Sequence, residues 1–130
     1  MKKLLPHIYL RNCHEPLAFY HHVFGGEVKN TQTADDVEMF KGHDGKYIHA
    51  ELHINEDCVI YFADVFEPIK QGNNIWLVVE LESKQEIESV YEQLSENGEV
   101  KMDLQHTFWG ATYGVVKDVY GITWELNYRK

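Results

Sequence analysis

The sequence predicts an α+β fold in which one βαβββ module occurs twice, with helices outside and a concave sheet face inside. Three observations lead there. Two stripes of apolar residues at helical spacing each follow a short apolar strand, each is followed by three further strand-like runs, and the strand alternation of one half matches that of the other. The chain has 130 residues, room for one domain but not for two cores of ordinary size. It is therefore expected to be a single domain over 1–130, built from modules 1–65 and 74–130 joined by a linker at 66–73 that contains Pro68 and Gly72.

In the first module, Leu4 to Leu10 reads as a strand. A helix starts near Glu15-Pro16, because proline costs nothing in a first turn where its missing N–H has no partner anyway. Leu17, Tyr20 and Phe24, with Phe19 and Val23, form its apolar stripe, and Gly25-Gly26 stops it. Strands are expected at Glu27–Thr31, Tyr47–Ile54 and Cys58–Ala63, separated by the turn chemistry of Gly42, Asp44-Gly45 and Asn55-Glu56-Asp57. In the second module Ile75–Leu81 is a near-continuous apolar strand. Ser83-Lys84-Gln85-Glu86 then spells a capping box, followed by Ile87, Val90, Tyr91 and Leu94 on one helical face. Asn97-Gly98 closes that helix, and strands follow at Val100–Leu104, Thr112–Lys117 and Ile122–Tyr128.

Composition removes several classes of function. Twelve Lys plus Arg against 21 Asp plus Glu leaves a formal charge of −9, which disfavours a nucleic-acid or anionic-membrane surface. No apolar run approaches the roughly 20 residues that span a bilayer. Met1-Lys2-Lys3-Leu4-Leu5 has the charge of a signal peptide, but Pro6, His7 and Arg11 break the apolar region, so a cytoplasmic protein is expected. Cys13 and Cys58 have neither CxxC spacing nor the density of a disulfide scaffold, and read as reduced thiols. A Gly-rich phosphate loop, a GxSxG elbow and an HExxH helix are all missing.

Strand alternation assigns faces. Cys58, Ile60 and Phe62 align with Ile122, Trp124 and Leu126 and should face the helices, while Val59, Tyr61 and Ala63 align with Thr123, Glu125 and Asn127 on the other face. Aligning the first strands places His7 on Trp76, so His7, Tyr61, Trp76 and Glu125 occupy equivalent places on the non-helical face. In Tyr47–Ile54 the same alternation sets Tyr47, His49, Glu51 and His53 on one face and Ile48, Ala50, Leu52 and Ile54 on the other.

Paired βαβββ modules resemble the vicinal oxygen chelate superfamily, which includes glyoxalase I, fosfomycin-resistance proteins and extradiol dioxygenases. Phe19-Tyr20-His21-His22-Val23-Phe24-Gly25-Gly26-Glu27, His49-Ala50-Glu51-Leu52, and Phe108-Trp109-Gly110 running on to Asp118-Val119-Tyr120-Gly121-Ile122-Thr123-Trp124-Glu125-Leu126-Asn127 are similar to its PhnB-like branch, over essentially the whole chain. The resemblance implies a homodimer, a cavity built from both modules, and metal ligands on the first and last strands of each module. Here those positions read His7, Tyr61, Trp76 and Glu125. Imidazole and carboxylate suit a borderline divalent cation, but an indole cannot coordinate, so the set falls short of three protein ligands plus water. A divalent metal on His7 and Glu125 is therefore an open but not favoured expectation.

His49 and Glu51 are candidates for a general base and its orienting carboxylate, since histidine titrates near neutrality; a solvated strand face is the alternative. Next neighbours on one face lie about 7 Å apart on an ideal strand, spaced for a cavity wall rather than for a tight pair. Trp76, Trp109 and Tyr113 are candidate apolar walls, alongside His7, Tyr61 and Glu125 as pocket residues. His14, His21, His22, His43 and His106 read as solvated. The expectation is a protein that binds a small polar or aromatic metabolite, as a lyase, isomerase or transferase of unassigned reaction. The alternative is a non-catalytic binding or sequestration protein without metal.

Overall fold

The computed structural model describes residues 1–35 and 37–130. They form two compact units, Met1–Ile69 and Lys70–Lys130. In the first, β1 (His7–Leu10), α1 (His14–Phe24), β2 (Glu27–Thr33), β3 (Tyr47–Asn55) and β4 (Cys58–Asp64) make a four-stranded sheet in the order β1-β4-β3-β2. The second repeats this with β5 (Leu77–Glu80), α2 (Lys84–Ser95), β6 (Glu99–His106), β7 (Ala111–Lys117) and β8 (Thr123–Arg129), ordered β5-β8-β7-β6. In each unit the first and last strands pair in parallel and the other pairs are antiparallel. The duplicated βαβββ architecture is therefore present, with strand ends within a few residues of those expected. A 3-10 turn at Glu38–Phe40 was not anticipated.

Each helix starts by a different device. Ser83 Oγ accepts the Glu86 amide at 3.0 Å while Glu86 Oε1 accepts the Glu82 amide at 2.9 Å, the reciprocal arrangement that the Ser-x-x-Glu spacing predicts. The first helix has no side-chain cap of its own. Cys13 stands at its N-cap position, and its amide donates instead to Oδ1 of buried Asp64 at the end of β4, at 2.8 Å. The other Asp64 oxygen takes the Tyr47 amide at 2.6 Å, so one carboxylate ties the start of α1 to β3 and β4. Burial, then the nearby Asp64 charge, pushes the Cys13 thiol up to about 12, which leaves it protonated and unreactive. Gly26 lies at φ 89°, and a Cβ there would run into the His53 carbonyl, so the helix-to-strand corner needs glycine on both counts.

The helices cover one face of each sheet. Leu17, Tyr20 and Val23 of α1 are buried, as are Ala50, Leu52, Ile60 and Phe62 of β3 and β4. In the second unit Ile87, Val90 and Leu94 of α2 are buried with Val116, Trp124 and Leu126. These are the faces alternation assigns to the core, with departures at the strand ends: Cys58 is exposed and Ile122 only partly buried, whereas Ala63 and Thr123, expected on the other face, are buried.

Register corrects one equivalence. His7 stands opposite Tyr61 in the first unit, but Val78, not Trp76, stands opposite Glu125 in the second. Trp76 precedes β5, its indole N–H donating to the Asn73 carbonyl at 2.9 Å in a turn. A slip of two residues preserves the face, so alternation cannot detect it.

In the second unit, buried Asp118 accepts the Trp124 indole N–H at 2.8 Å and the Tyr120 and Ile122 amides at 2.9 and 3.1 Å. Truncation to Asp118→Ala strands these donors and should destabilise the protein by about 2–4 kcal/mol. Urea unfolding checks this; an unchanged midpoint would contradict it.

Candidate functional site

The helix-free face of the first sheet carries the densest polar cluster. His7, Tyr61 and Glu51 share a row, since His7 pairs with Tyr61 and Tyr61 with Glu51. His49 and His53 flank Glu51 on β3. Glu51 is 8% exposed, and its oxygens are met chiefly by protein donors. His49 Nε2 lies 2.7 Å from Oε2, His53 Nε2 lies 2.7 Å from Oε1, and Asn30 Nδ2 donates to Oε1 at 2.9 Å. The strand sets the Cα positions apart, but the long glutamate between two imidazoles closes the gap that ideal strand spacing leaves.

These bonds hold the Glu51 carboxyl at about 2, well below its ordinary 4.5; the His49 bond contributes most, burial opposes it, and His53 and Asn30 add to it. Glu51 is thus an ionised acceptor at neutral pH, and each imidazole must supply the hydrogen from Nε2. In a neutral ring this leaves Nδ1 of His49 and of His53 as free lone pairs. His7 completes the group: its ring lies 6.0 Å from His49 and 5.8 Å from Tyr61, both edge-on, and 4.4 Å from Tyr9. Burial, then the neighbouring His49, lowers its pKa, so His7 favours the neutral form. A cavity of about 490 Å³ borders the cluster at Tyr9 and is walled also by Phe40, Ile48, Ala63, Asp64 and Phe66.

The second sheet places a smaller group on its helix-free face. Tyr113 donates its hydroxyl to Glu125 Oε2 at 2.6 Å, and the Trp109 ring lies 5.8 Å from the Tyr113 ring. Burial, then the bond to Glu125 and its charge, raises the Tyr113 hydroxyl to about 12 and keeps it a donor. Trp109 is 45% exposed in a loop whose direction the sequence leaves open; the structure sets it beside Tyr113.

Each unit therefore gathers part of the expected set: His7, His49, Glu51 and Tyr61 in one, Trp109, Tyr113 and Glu125 in the other, with Trp76 in its own turn. Asn30 and Tyr9 were missed. Tyr9 follows from His7 by the same alternation. Asn30 sits at φ 53° inside a bulge between Lys29 and Gln32, and the extra residue brings its amide to Glu51. Asparagine is one of the few side chains at ease in that backbone region, which is the only signal the sequence carries.

The duplicated modules, with a polar cluster on a sheet face left bare by its helix, define a family. A model of the Glyoxalase/Bleomycin resistance protein/Dioxygenase superfamily matches residues 5–126, and the chain belongs to that superfamily. Among individual proteins, it is 24% identical to Protein YjdN of Escherichia coli strain K12, over 89% of this chain and 87% of that one. Protein PA1353 from Pseudomonas aeruginosa superposes with a TM-score of 0.87 at 27% identity, covering 99% of this chain and 98% of the other. A PhnB protein from Bacillus cereus superposes at 0.82 and 24% identity, covering 98% and 99%.

The donors present do not fit the metal that the resemblance implies. By register the four positions are His7 and Tyr61 in the first unit, Val78 and Glu125 in the second. Val78 has no donor atom, and Glu125 already holds the Tyr113 hydroxyl. Among the described residues no group of three or more His, Cys, Asp or Glu side chains is placed to hold a metal ion. His7 and Glu125 alone fall short of the three protein ligands that catalytic sites use.

Because the Glu51 carboxyl is depressed in the folded protein, its contribution to stability is complete above its unfolded value near 4.5 and fades as pH falls toward about 2. The stability gap between the native protein and Glu51→Gln should therefore narrow steadily over that window in urea titrations. A gap independent of pH would contradict an ionised Glu51.

Proposed function

We propose that the chain binds a small polar or aromatic metabolite on the helix-free face of its first sheet and moves a proton on it, with His49 as general base and Glu51 as the carboxylate that orients it. One observation carries this reading: the 2.7 Å contact from His49 Nε2 to the ionised Glu51, which dedicates one ring nitrogen to the protein and leaves the other for a ligand. His49 is accessible enough for this, its side chain being 28% exposed. Neutral His7 and the Tyr61 hydroxyl stand beside it as further polar contacts. The aromatic walls beyond Tyr9 offer room for the apolar part of the same molecule.

The arrangement fits removal of a proton from carbon or oxygen, the step that lyases and isomerases share, and the transfer passes between His49 Nδ1 and the ligand. Glu51 stays ionised and stabilises the imidazolium that forms. The Tyr113–Glu125 pair under Trp109 supports a second polar and aromatic contact surface. A metabolite-sequestering protein would use the same surfaces without proton transfer. We also infer that the protein works as a homodimer, since an open sheet face is a natural place for a second copy; sedimentation at about twice the chain mass tests this, and a monomer at tens of micromolar would overturn it.

The function is tested by screening hydroxy-acid, keto-acid and phenolic metabolites by NMR against the native protein, His49→Gln and Glu51→Gln. The expected result is a ligand that perturbs the His49 and Glu51 signals, binds the Glu51→Gln protein about tenfold more weakly, and exchanges an acidic C–H with D2O about a hundredfold more slowly in His49→Gln. Binding without exchange would favour sequestration. Binding indifferent to both substitutions would remove the site from this face.

A further inference from the structure

A second cavity lies on the side of the second sheet opposite Tyr113 and Glu125. It occupies about 510 Å³ in the second unit and is lined by Lys84, His106, Gly110, Thr112, Tyr128 and Lys130. The sheet brings these together directly: His106 pairs with Thr112 and Thr112 with Tyr128, so one row crosses three strands. That row has the phase of the core residues Val116 and Leu126, but it lies toward the sheet end where α2 begins, and no apolar helix residue lines it. Lys84 enters from the first residue of α2 and Lys130 follows the end of β8.

The lining chemistry is one-sided. Two lysines, a histidine, a threonine and a tyrosine line one space, and no Asp or Glu is among them, in a chain where acids outnumber Lys plus Arg by 21 to 12. Among the described residues, neither lysine is held in an ion pair, and His106 and Tyr128 have no side-chain partner. The helix end itself is not the attraction, because the capping box of Ser83 and Glu86 already takes up the Glu82 and Glu86 amides. Unspent donors converging from three separate elements match a compact oxyanion with several acceptor atoms.

We propose that this cavity binds the phosphoryl group of a small metabolite, at a site separate from the His49–Glu51 cluster. Its volume exceeds that of inorganic phosphate, so the organic part of a phosphate monoester fits beside the charged end. Lys84 and Lys130 supply the charge, and Thr112 and Tyr128 orient the oxygens.

The test is a titration of the full chain with inorganic phosphate and with glycerol 3-phosphate, followed by backbone and imidazole NMR at constant ionic strength so that general screening does not contribute. Saturable shifts at Gly110, Thr112 and His106, with His49 and His53 unmoved, are expected. Lys84→Gln and Lys130→Gln should each weaken binding several-fold, and the double variant by about tenfold or more. Tighter binding of glycerol 3-phosphate than of phosphate marks the ligand as a phosphorylated metabolite; equal binding marks it as free phosphate. Shifts that do not saturate, that persist unchanged in the double variant with its urea midpoint intact, or that fall on the first unit would overturn the proposal.

Discussion

A carboxylate on an inner strand of the first sheet, almost out of water, has to be answered by donors, and Glu51 organises its surroundings accordingly. Its two oxygens fix the rings of His49 and His53, and Oε1 also receives the amide that the β2 bulge brings to it at Asn30. The helix makes this possible by covering only one side of the sheet. Apolar residues of β3 and β4 pack under α1, and the alternate residues, His49, Glu51, His53 and Tyr61 among them, take the other face. A charge is tolerable on that open side only because its hydrogen bonds are complete.

The second unit has the same architecture with a different solution. Val115 stands opposite Glu125 as Glu51 stands opposite Tyr61. The acid has moved to the neighbouring strand, and its donor is a tyrosine hydroxyl instead of a pair of imidazoles. Val115 is buried, so nothing at that position demands donors. The imidazoles and the carboxylate they hold are thus concentrated in the first unit, while the second has a tyrosine–glutamate pair beside Trp109 on one face and Lys84, His106 and Lys130 around a cavity near the start of α2.

Much of this was legible from residue order. Helical spacing and the Ser83–Glu86 box marked both helices, and period-two alternation put His49, Glu51 and His53 on one face. Legibility ended where physics is insensitive to sequence pattern. Alternation repeats every two residues, so Trp76 and Val78 were interchangeable until hydrogen-bonded register separated them. The Asp64 tie to the amides of Cys13 and Tyr47 spans distant parts of the chain and carries no local signal. Asn30 required knowing that the strand bulges, and the tight His49–Glu51 contact depended on side-chain reach that a Cα spacing does not convey.

The central claim is that an ionised Glu51 sets the protonation pattern of the two histidines and leaves their Nδ1 atoms available. Imidazole nitrogen-15 NMR of the unliganded protein at mildly alkaline pH reads this directly. The account predicts that His49 and His53 both carry their hydrogen on Nε2, with Nδ1 at the shift of an unprotonated nitrogen, and that Glu51→Gln disturbs this pattern. Hydrogens on Nδ1 in the native protein, or a pattern unchanged by the substitution, would contradict it.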